Sequence, residues 1–341
     1  MRVLGEGQEA GNMMQESGEA EEQGSKEVIH NPQSAICNPL LVIVGPTAVG
    51  KTALSLHLAE RLGGEIVSAD SRLFYRGMDI GTAKPTPEER ARVPHHLIDI
   101  AAPDETVGLA EFQEHAYAAI ADIHARGKLP LLVGGTGQYV RAVVEGWRVP
   151  RVPPDPALRA RLEARAEQEG AAALHAHLAR LDPAAAQRID PRNLRRVIRA
   201  LEVCLITGRP ISEQQGKQQP HYRVLQIGLT MGREALYTRA DRRVEEMMAA
   251  GLEREVHRLV EGGYGWRLPA MSGLGYAQFR LYFERQTTLE EVVAEIKRAT
   301  RRFIRHQYNW FRLNDPAIRW FDVAETMAEE IEAVVGEWLE G

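Results

Sequence analysis

The chain has 341 residues, 44% of them hydrophobic, enough for one large core and a smaller domain; no apolar run approaches the length that spans a bilayer. The formal net charge is −5, and the first 30 residues carry all of it, seven Glu against Arg2 and Lys26, so the remaining body is neutral and compatible with a polyanionic partner. Cys37 and Cys204 form neither a metal-ligand spacing nor a disulfide framework, which fits a reducing cytoplasm.

Residues 1–38 are acidic and Gly/Gln-rich, lack the apolar stretch of a secretory signal, and read as a disordered extension or a misassigned start. The apolar run Leu40 to Val44 then reads as a buried strand and leads directly into GPTAVGKT: Gly45, Pro46, Thr47, Ala48, Val49, Gly50, Lys51 and Thr52. This is a phosphate loop between a strand and an amphipathic helix, Ala53 to Leu62. Its backbone N–H groups and the helix dipole favour an anion, Lys51 adds a mobile cation, and the Thr52 hydroxyl suits a magnesium ion. The expected ligand is a diphosphate or a nucleotide triphosphate such as ATP.

A short strand, Glu65 to Ser68, delivers Asp70 and Ser71 to its carboxyl end, where open parallel sheets bind ligands. Asp70 suits proton acceptance or a water-mediated magnesium contact; the alternative is a helix N-cap. Asp104 to Arg126 reads as an amphipathic helix, and Leu129 to Val133 as a buried strand ending in GGTG, Gly134 to Gly137. Phosphate-loop hydrolases place a magnesium-ligating acid at such a strand end. Here small residues stand there instead, offering close backbone approach and the Thr136 hydroxyl; the alternative is a tight turn that needs positive φ. Alternating strands and helices predict a doubly wound, P-loop NTPase-like α/β core with a parallel sheet.

Four prolines between Val149 and Pro156 mark a boundary, after which Ala157 to Leu205 is helical in composition. Leu225 to Leu229 reads as a strand returning to the sheet, followed by helices from Arg233 to Val260 and from Leu289 to Phe311. The expected organisation is a core of 39–147 and 223–341 with a helical insertion over 148–222, without internal repeats. From Arg141 to Arg223 there are fifteen basic and nine acidic residues; from Lys297 to Arg312 there are six basic residues, no acid, and interleaved Phe303, Tyr308, Trp310 and Phe311. The second stretch points to nucleic acid, with part of its aromatics needed as a core face. Arg192, Arg195, Arg196 and Arg199 form a basic helix face beside Leu194, Val197 and Leu201, suited to RNA phosphates or, alternatively, to surface pairing with Glu.

From Leu40 to Arg312 the chain is similar to the bacterial tRNA dimethylallyltransferases, also called tRNA isopentenyltransferases. The similarity is carried by GPTAVGKT, by SADSRLFYRGMDIGTAKP (Ser68 to Pro85), by PHHLID (Pro94 to Asp99), by LLVGGTGQYVRA (Leu131 to Ala142), by RRVIRALEV (Arg195 to Val203), and by GYAQF with the basic C-terminal helix. The resemblance implies transfer of a dimethylallyl group from dimethylallyl diphosphate to the exocyclic amine of the adenosine 3′ of the anticodon. It implies a magnesium cofactor, Asp70 as proton acceptor, Thr136 as positioner of the amine, and Thr47, Lys51, Thr52 with Arg239 or Arg243 on the diphosphate. It also implies tRNA contacts by Asp70, Ser71, Arg72, Leu73 and Thr136. On the insertion, which would grip the anticodon stem-loop, it adds Arg159, Arg195, Arg196, Val197, Ile198 and Arg199. The family usually has Gln at the Leu73 position to read the target nucleotide and aliphatic residues at the positions of Phe74 and Gln138; Gln138 is a candidate substitute reader. Two rival readings are an enzyme that prenylates a free adenine nucleotide and a non-catalytic nucleotide- and RNA-binding protein. A cytoplasmic monomer is expected.

Overall fold

A computed structural model describes residues 38–218, 220 and 222–341. The acidic extension, apart from Asn38, and Cys37 lie outside the described residues. The core begins with β1 (Pro39–Val44), α1 (Lys51–Leu62), β2 (Gly64–Ser68), α2 (Pro87–Arg92), β3 (His95–His96), α3 (Leu109–Ala125), β4 (Leu129–Gly134) and α4 (Gly137–Val144). Next come β5 (Trp147–Arg148) and the helices α5 (Pro156–Glu169), α6 (Ala171–Leu181), α7 (Pro183–Arg188), α8 (Leu194–Thr207) and α9 (Ile211–Gln214). They are closed by β6 (Gly216–Lys217), which pairs antiparallel with β5. The chain re-enters the core through β7 (Arg223–Thr230) and ends with α10 (Arg233–Ala250), α11 (Leu252–Glu261), α12 (Arg280–Phe283), α13 (Leu289–Trp310), β8 (Arg319–Asp322) and α14 (Ala328–Glu340).

The sheet order is β3-β2-β4-β1-β7-β8, every pair parallel, with Leu41 opposite both Leu131 and Leu225. Side chains alternate between two cores, as a period of two requires. Leu41, Ile43, Ile66, Leu131 and Ile227 face Leu54, Leu58, Leu236, Ile304 and Val335, which come from α1, α10, α13 and α14. Leu40, Val42, Val44, Val67 and Leu132 face Phe112, Ile120 and Val140 of α3 and α4. Burial on both faces is why these strands read as continuous apolar runs. The doubly wound α/β core is therefore borne out.

The helices between β5 and β6 own a separate core, built from Leu158, Leu162, Leu174, Leu178, Val197 and Leu201. The helix expected from Asp104 starts only at Leu109, because the Glu105 carboxylate accepts the Ala102 N–H and holds a turn there, and Gly108 is the N-cap. The helix expected over 233–260 breaks at Gly251, whose φ of 102° is left-handed. The edge strands β3 and β8 were not expected; they are two and four residues long and carry no periodic signal. Among the described residues no helix is long and apolar enough to cross a membrane.

Candidate active site at the carboxyl edge of the sheet

Three neighbouring strands, β2, β4 and β1, end on the same edge and deliver Asp70, Gly134–Thr136 and the phosphate loop. The loop leaves β1 at Gly45, where a Cβ would lie 2.6 Å from the Leu229 carbonyl oxygen, and it enters α1 at Gly50 with φ of 114°. Lys51 Nζ donates to the carbonyls of Gly45 (3.0 Å) and Pro46 (2.9 Å), folding the ammonium over its own loop. Burial pushes the Lys51 ammonium down to about 8, opposed by the Asp70 carboxylate and reinforced by Arg243. Burial also holds Arg243 below its ordinary value, with Asp70 opposing and Arg239 adding to the shift. A half-enclosed array of cations beside amides is an environment that gains from a bound polyanion.

Thr47, Lys51, Thr52, Asp70, Leu73 and Arg243 line one narrow crevice. A wider opening beside it is lined by Gly50, Lys51, Thr52, Arg239 and Arg243, so α10 supplies the cationic wall opposite the loop. Asp70 is half-buried; its Oδ1 accepts the Arg72 N–H at 3.0 Å, a side-chain turn rather than the helix N-cap the sequence allowed, since residues 71–74 form turns. Arg72 does not point to the crevice floor: its guanidinium donates to the carbonyls of Pro269 and Ala270. Ser71 is half-buried beside it. Leu73 stands in the crevice, whereas Gln138, exposed, lines the cleft toward the helical insertion and is not among the crevice residues. Phe74 is buried in a stack with Phe112 and Tyr139, which accounts for an aromatic there.

The GGTG turn is not a positive-φ turn: Gly134, Gly135 and Gly137 all lie outside that region, which corrects the turn alternative. Close approach is what these glycines serve. A Cβ would sit 2.3 Å from the Ala69 carbonyl at Gly134, 2.2 Å from Gln307 Nε2 at Gly135, and 2.3 Å from Trp310 at Gly137. Thr136 follows as the N-cap of α4, and its hydroxyl makes no capping bond. Gln307 of α13 accepts the Thr47 N–H at 2.8 Å and donates to the Gly135 carbonyl at 3.1 Å.

Sequence reasoning also missed the wall of the crevice formed by Thr82, Ala83 and Pro85. Glu255, buried on α11, accepts the N–H groups of Asp79 (2.9 Å), Ile80 (2.8 Å) and Gly81 (3.1 Å), and the Tyr276 hydroxyl at 2.6 Å. Burial and the Glu255 charge keep the Tyr276 phenol far above its ordinary value. Lys84 is buried between Tyr75 carbonyl, Asp79 and Asp99. The motifs MDIGTAKP, PHHLID and GYAQF thus meet in one clasp. His95 also lines the crevice, with Nδ1 2.7 Å from the Val93 carbonyl and burial lowering its proton affinity. The marked motif PHHLID was the available signal for it.

On the insertion, Arg195 and Arg196 are exposed. Val197 is instead fully buried in its core, at 0% exposure, and Ile198, at 5%, packs there while lining the cleft toward Gln138. Arg159 and Arg199 are engaged by Glu202: Arg159 donates two bonds of 2.8 Å and Arg199 one of 2.6 Å, while the Asp155 N–H adds 2.8 Å. Burial raises the Glu202 carboxyl, and Arg159, Asp155 and Arg199 together pull it below its ordinary value. Glu pairing therefore holds for these two arginines and not for Arg195 and Arg196. A cleft of about 1040 Å³ separates Gln138 and the start of α3 from Arg195 and Arg199. On α13, Lys297, Arg298, Arg301 and Arg302 pair with Glu245, Glu295 and Asp241; Phe311 is core, whereas Phe303 is exposed.

Among the described residues no group of three or more His, Cys, Asp or Glu is arranged for a metal. One hydroxyl (Thr52) and one carboxylate (Asp70) in a shared crevice fit magnesium only if phosphate oxygens complete its shell, which is how that ion is commonly held.

Residues 73–314 match the family described as IPP transferase, and residues 38–101 match isopentenyl transferase. The chain is 58% identical over 302 residues to a tRNA dimethylallyltransferase of Roseiflexus sp. (strain RS-1), covering 89% of this chain and 99% of the relative. A solved tRNA isopentenylpyrophosphate transferase from Bacillus halodurans is 44% identical with a TM-score of 0.66, covering 89% of this chain and 97% of that one. A solved eukaryotic dimethylallyltransferase acting on tRNA is 26% identical with a TM-score of 0.75, over 89% and 80% of the two chains. With a phosphate loop, a facing carboxylate and a match across most of its length, this chain belongs to the IPP transferase family.

Proposed function

We propose that this protein transfers the dimethylallyl group of dimethylallyl diphosphate to the N6 amine of the adenosine 3′-adjacent to the anticodon of tRNA. The observation that carries the reading is one crevice holding a phosphate loop, two cations from separate elements (Lys51, Arg243) and a single carboxylate, Asp70. In the reaction the allylic C–O bond breaks, an N6–C bond forms, the amine proton passes to Asp70, and diphosphate leaves. The loop amides, Lys51, Arg243 and Arg239 hold the charge that develops on the departing diphosphate. Magnesium, held by Thr52 and through water by Asp70, would supply further charge neutralisation there. The Thr136 hydroxyl orients the amine; adenine's exocyclic amine is a weak nucleophile, so orientation and proton removal dominate the rate. Gly134 in place of an acid at the end of β4 suits a reaction in which no phosphoanhydride is hydrolysed.

An adenosine must leave its stack to reach the crevice, and single-stranded loops are where that costs least. The anticodon loop would lie in the cleft between Gln138 and Arg195, with the stem against the exposed arginines of α8. The enzyme would act as a cytoplasmic monomer. The test is transfer of label from dimethylallyl diphosphate, with magnesium, onto an anticodon stem-loop and, in parallel, onto AMP. Transfer to RNA alone is expected; transfer to AMP without RNA, or none to either, overturns the reading.

A further inference from the structure

We infer that Gln307 is a positioning residue that sets the spacing between the diphosphate cradle and the acceptor loop, an inference that rests on the prenyl-transfer reading above. The ladder between β1 and β4 ends at Val44 and Gly134, so beyond those residues the sheet no longer holds the two loops in register. Gln307 takes over at that point. Its side chain is 4% exposed, accepts the Thr47 N–H on one side and donates to the Gly135 carbonyl on the other. A donor facing one end and an acceptor facing the other require a neutral primary amide: a carboxylate would meet the Gly135 oxygen, and an apolar chain would leave both backbone groups unpaired. One turn further along α13, Trp310 packs on Gly137 and its carbonyl accepts from Arg141 Nη2 at 2.7 Å. The helix therefore acts as a strut between donor and acceptor halves. The forming N–C bond depends on that distance, and a shift of ~1 Å at a reacting centre costs ~10²-fold in rate.

The test uses Gln307→Met, Gln307→Glu and Gly135→Ala in the full chain. Each should lower kcat by roughly 30- to 100-fold while KM for dimethylallyl diphosphate and for tRNA moves less than about threefold. Gly135→Ala combined with Gln307→Met should cost no more than either alone, since both remove one contact. Wild-type kcat in either Gln307 variant, or a loss confined to KM, overturns the inference. Hydrogen exchange gives a readout independent of turnover. Added inorganic diphosphate should slow exchange over both 45–52 and 134–139 in the wild type, and over 45–52 alone in Gln307→Met. Equal slowing of both segments in the two proteins overturns the strut even if transfer is robust. Coupled slowing in a wild type that transfers no label leaves the strut standing and removes the proposed function.

Discussion

Asp70 and Lys51 share a crevice, and the carboxylate favours the charged ammonium, yet their proposed tasks separate cleanly in experiment. In the proposed reaction Asp70 serves the acceptor side, so Asp70→Ala should lower kcat by about 10²-fold or more while leaving tRNA affinity unchanged in a filter-binding titration. A parallel fall in RNA affinity would make the carboxylate a binding group instead. Lys51 serves the donor side in that proposal. With the free ammonium losing its proton near 8 and a bound diphosphate favouring the charged form, binding above that pH must take up a proton. Affinity for dimethylallyl diphosphate should therefore fall as pH rises above about 8, and calorimetry in buffers of different ionisation enthalpy should show the uptake. Lys51→Met should bind more weakly with that pH dependence removed; an unchanged profile would assign the proton elsewhere. Asp70, Lys51 and Thr52 were legible in the sequence because local spacing around two strand ends defines them. Gln307 was not, since its partners lie 260 and 172 residues away and a lone glutamine on a basic helix carries no local signal.

Among the elements, α8 shows how one helix splits a motif into two jobs. The sequence predicts a basic face beside an apolar one, with RNA phosphates or Glu as partners of the arginines; in the fold Arg195 and Arg196 are exposed, Val197 and Leu201 are core, and Arg199 bonds Glu202. Glu202 is fully buried whereas Arg159 and Arg199 are about a third exposed, and that asymmetry sets the energetics. Removing the carboxylate frees two guanidiniums that can turn to water, so Glu202→Ala should cost about 1–3 kcal/mol. Removing both arginines strands a buried charge, so Arg159→Ala with Arg199→Ala should cost about 3–5 kcal/mol. Urea unfolding decides; the reverse order would mean that the arginine stems, not the ion pairs, hold the helices together. The helix pattern of this region was readable from composition, but which arginines were free was not, because Arg159 and Glu202 meet across 43 residues.

For the molecule as a whole, charge distribution matters more than the total of −5. Four of the six cations between Lys297 and Arg312 share Glu245, Glu295 and Asp241, while on the insertion Arg195 and Arg196 stand exposed on the far side of the cleft from the crevice. Each should contribute about one unit to the slope of log affinity for tRNA against log salt, and Arg195→Ala or Arg196→Ala should flatten it by that amount. An unaltered slope would move the RNA footprint off this helix. The doubly wound core was legible because both faces of its sheet are covered, which writes long apolar runs into the chain; the two edge strands, short and half-covered, were not.

The clasp of Glu255 on the 79–81 amides, with Tyr276 behind it, has a consequence for biosynthesis. A ribosome that has released the first 150 residues has made the phosphate loop, Asp70 and the Gly134–Thr136 turn, yet β7, the arginines of α10, Glu255 and α13 are still unmade. Because these late segments wall and brace the early ones, a chain cut after residue 150 should hold no formed crevice, and a diphosphate-binding titration of that fragment against the full chain checks it.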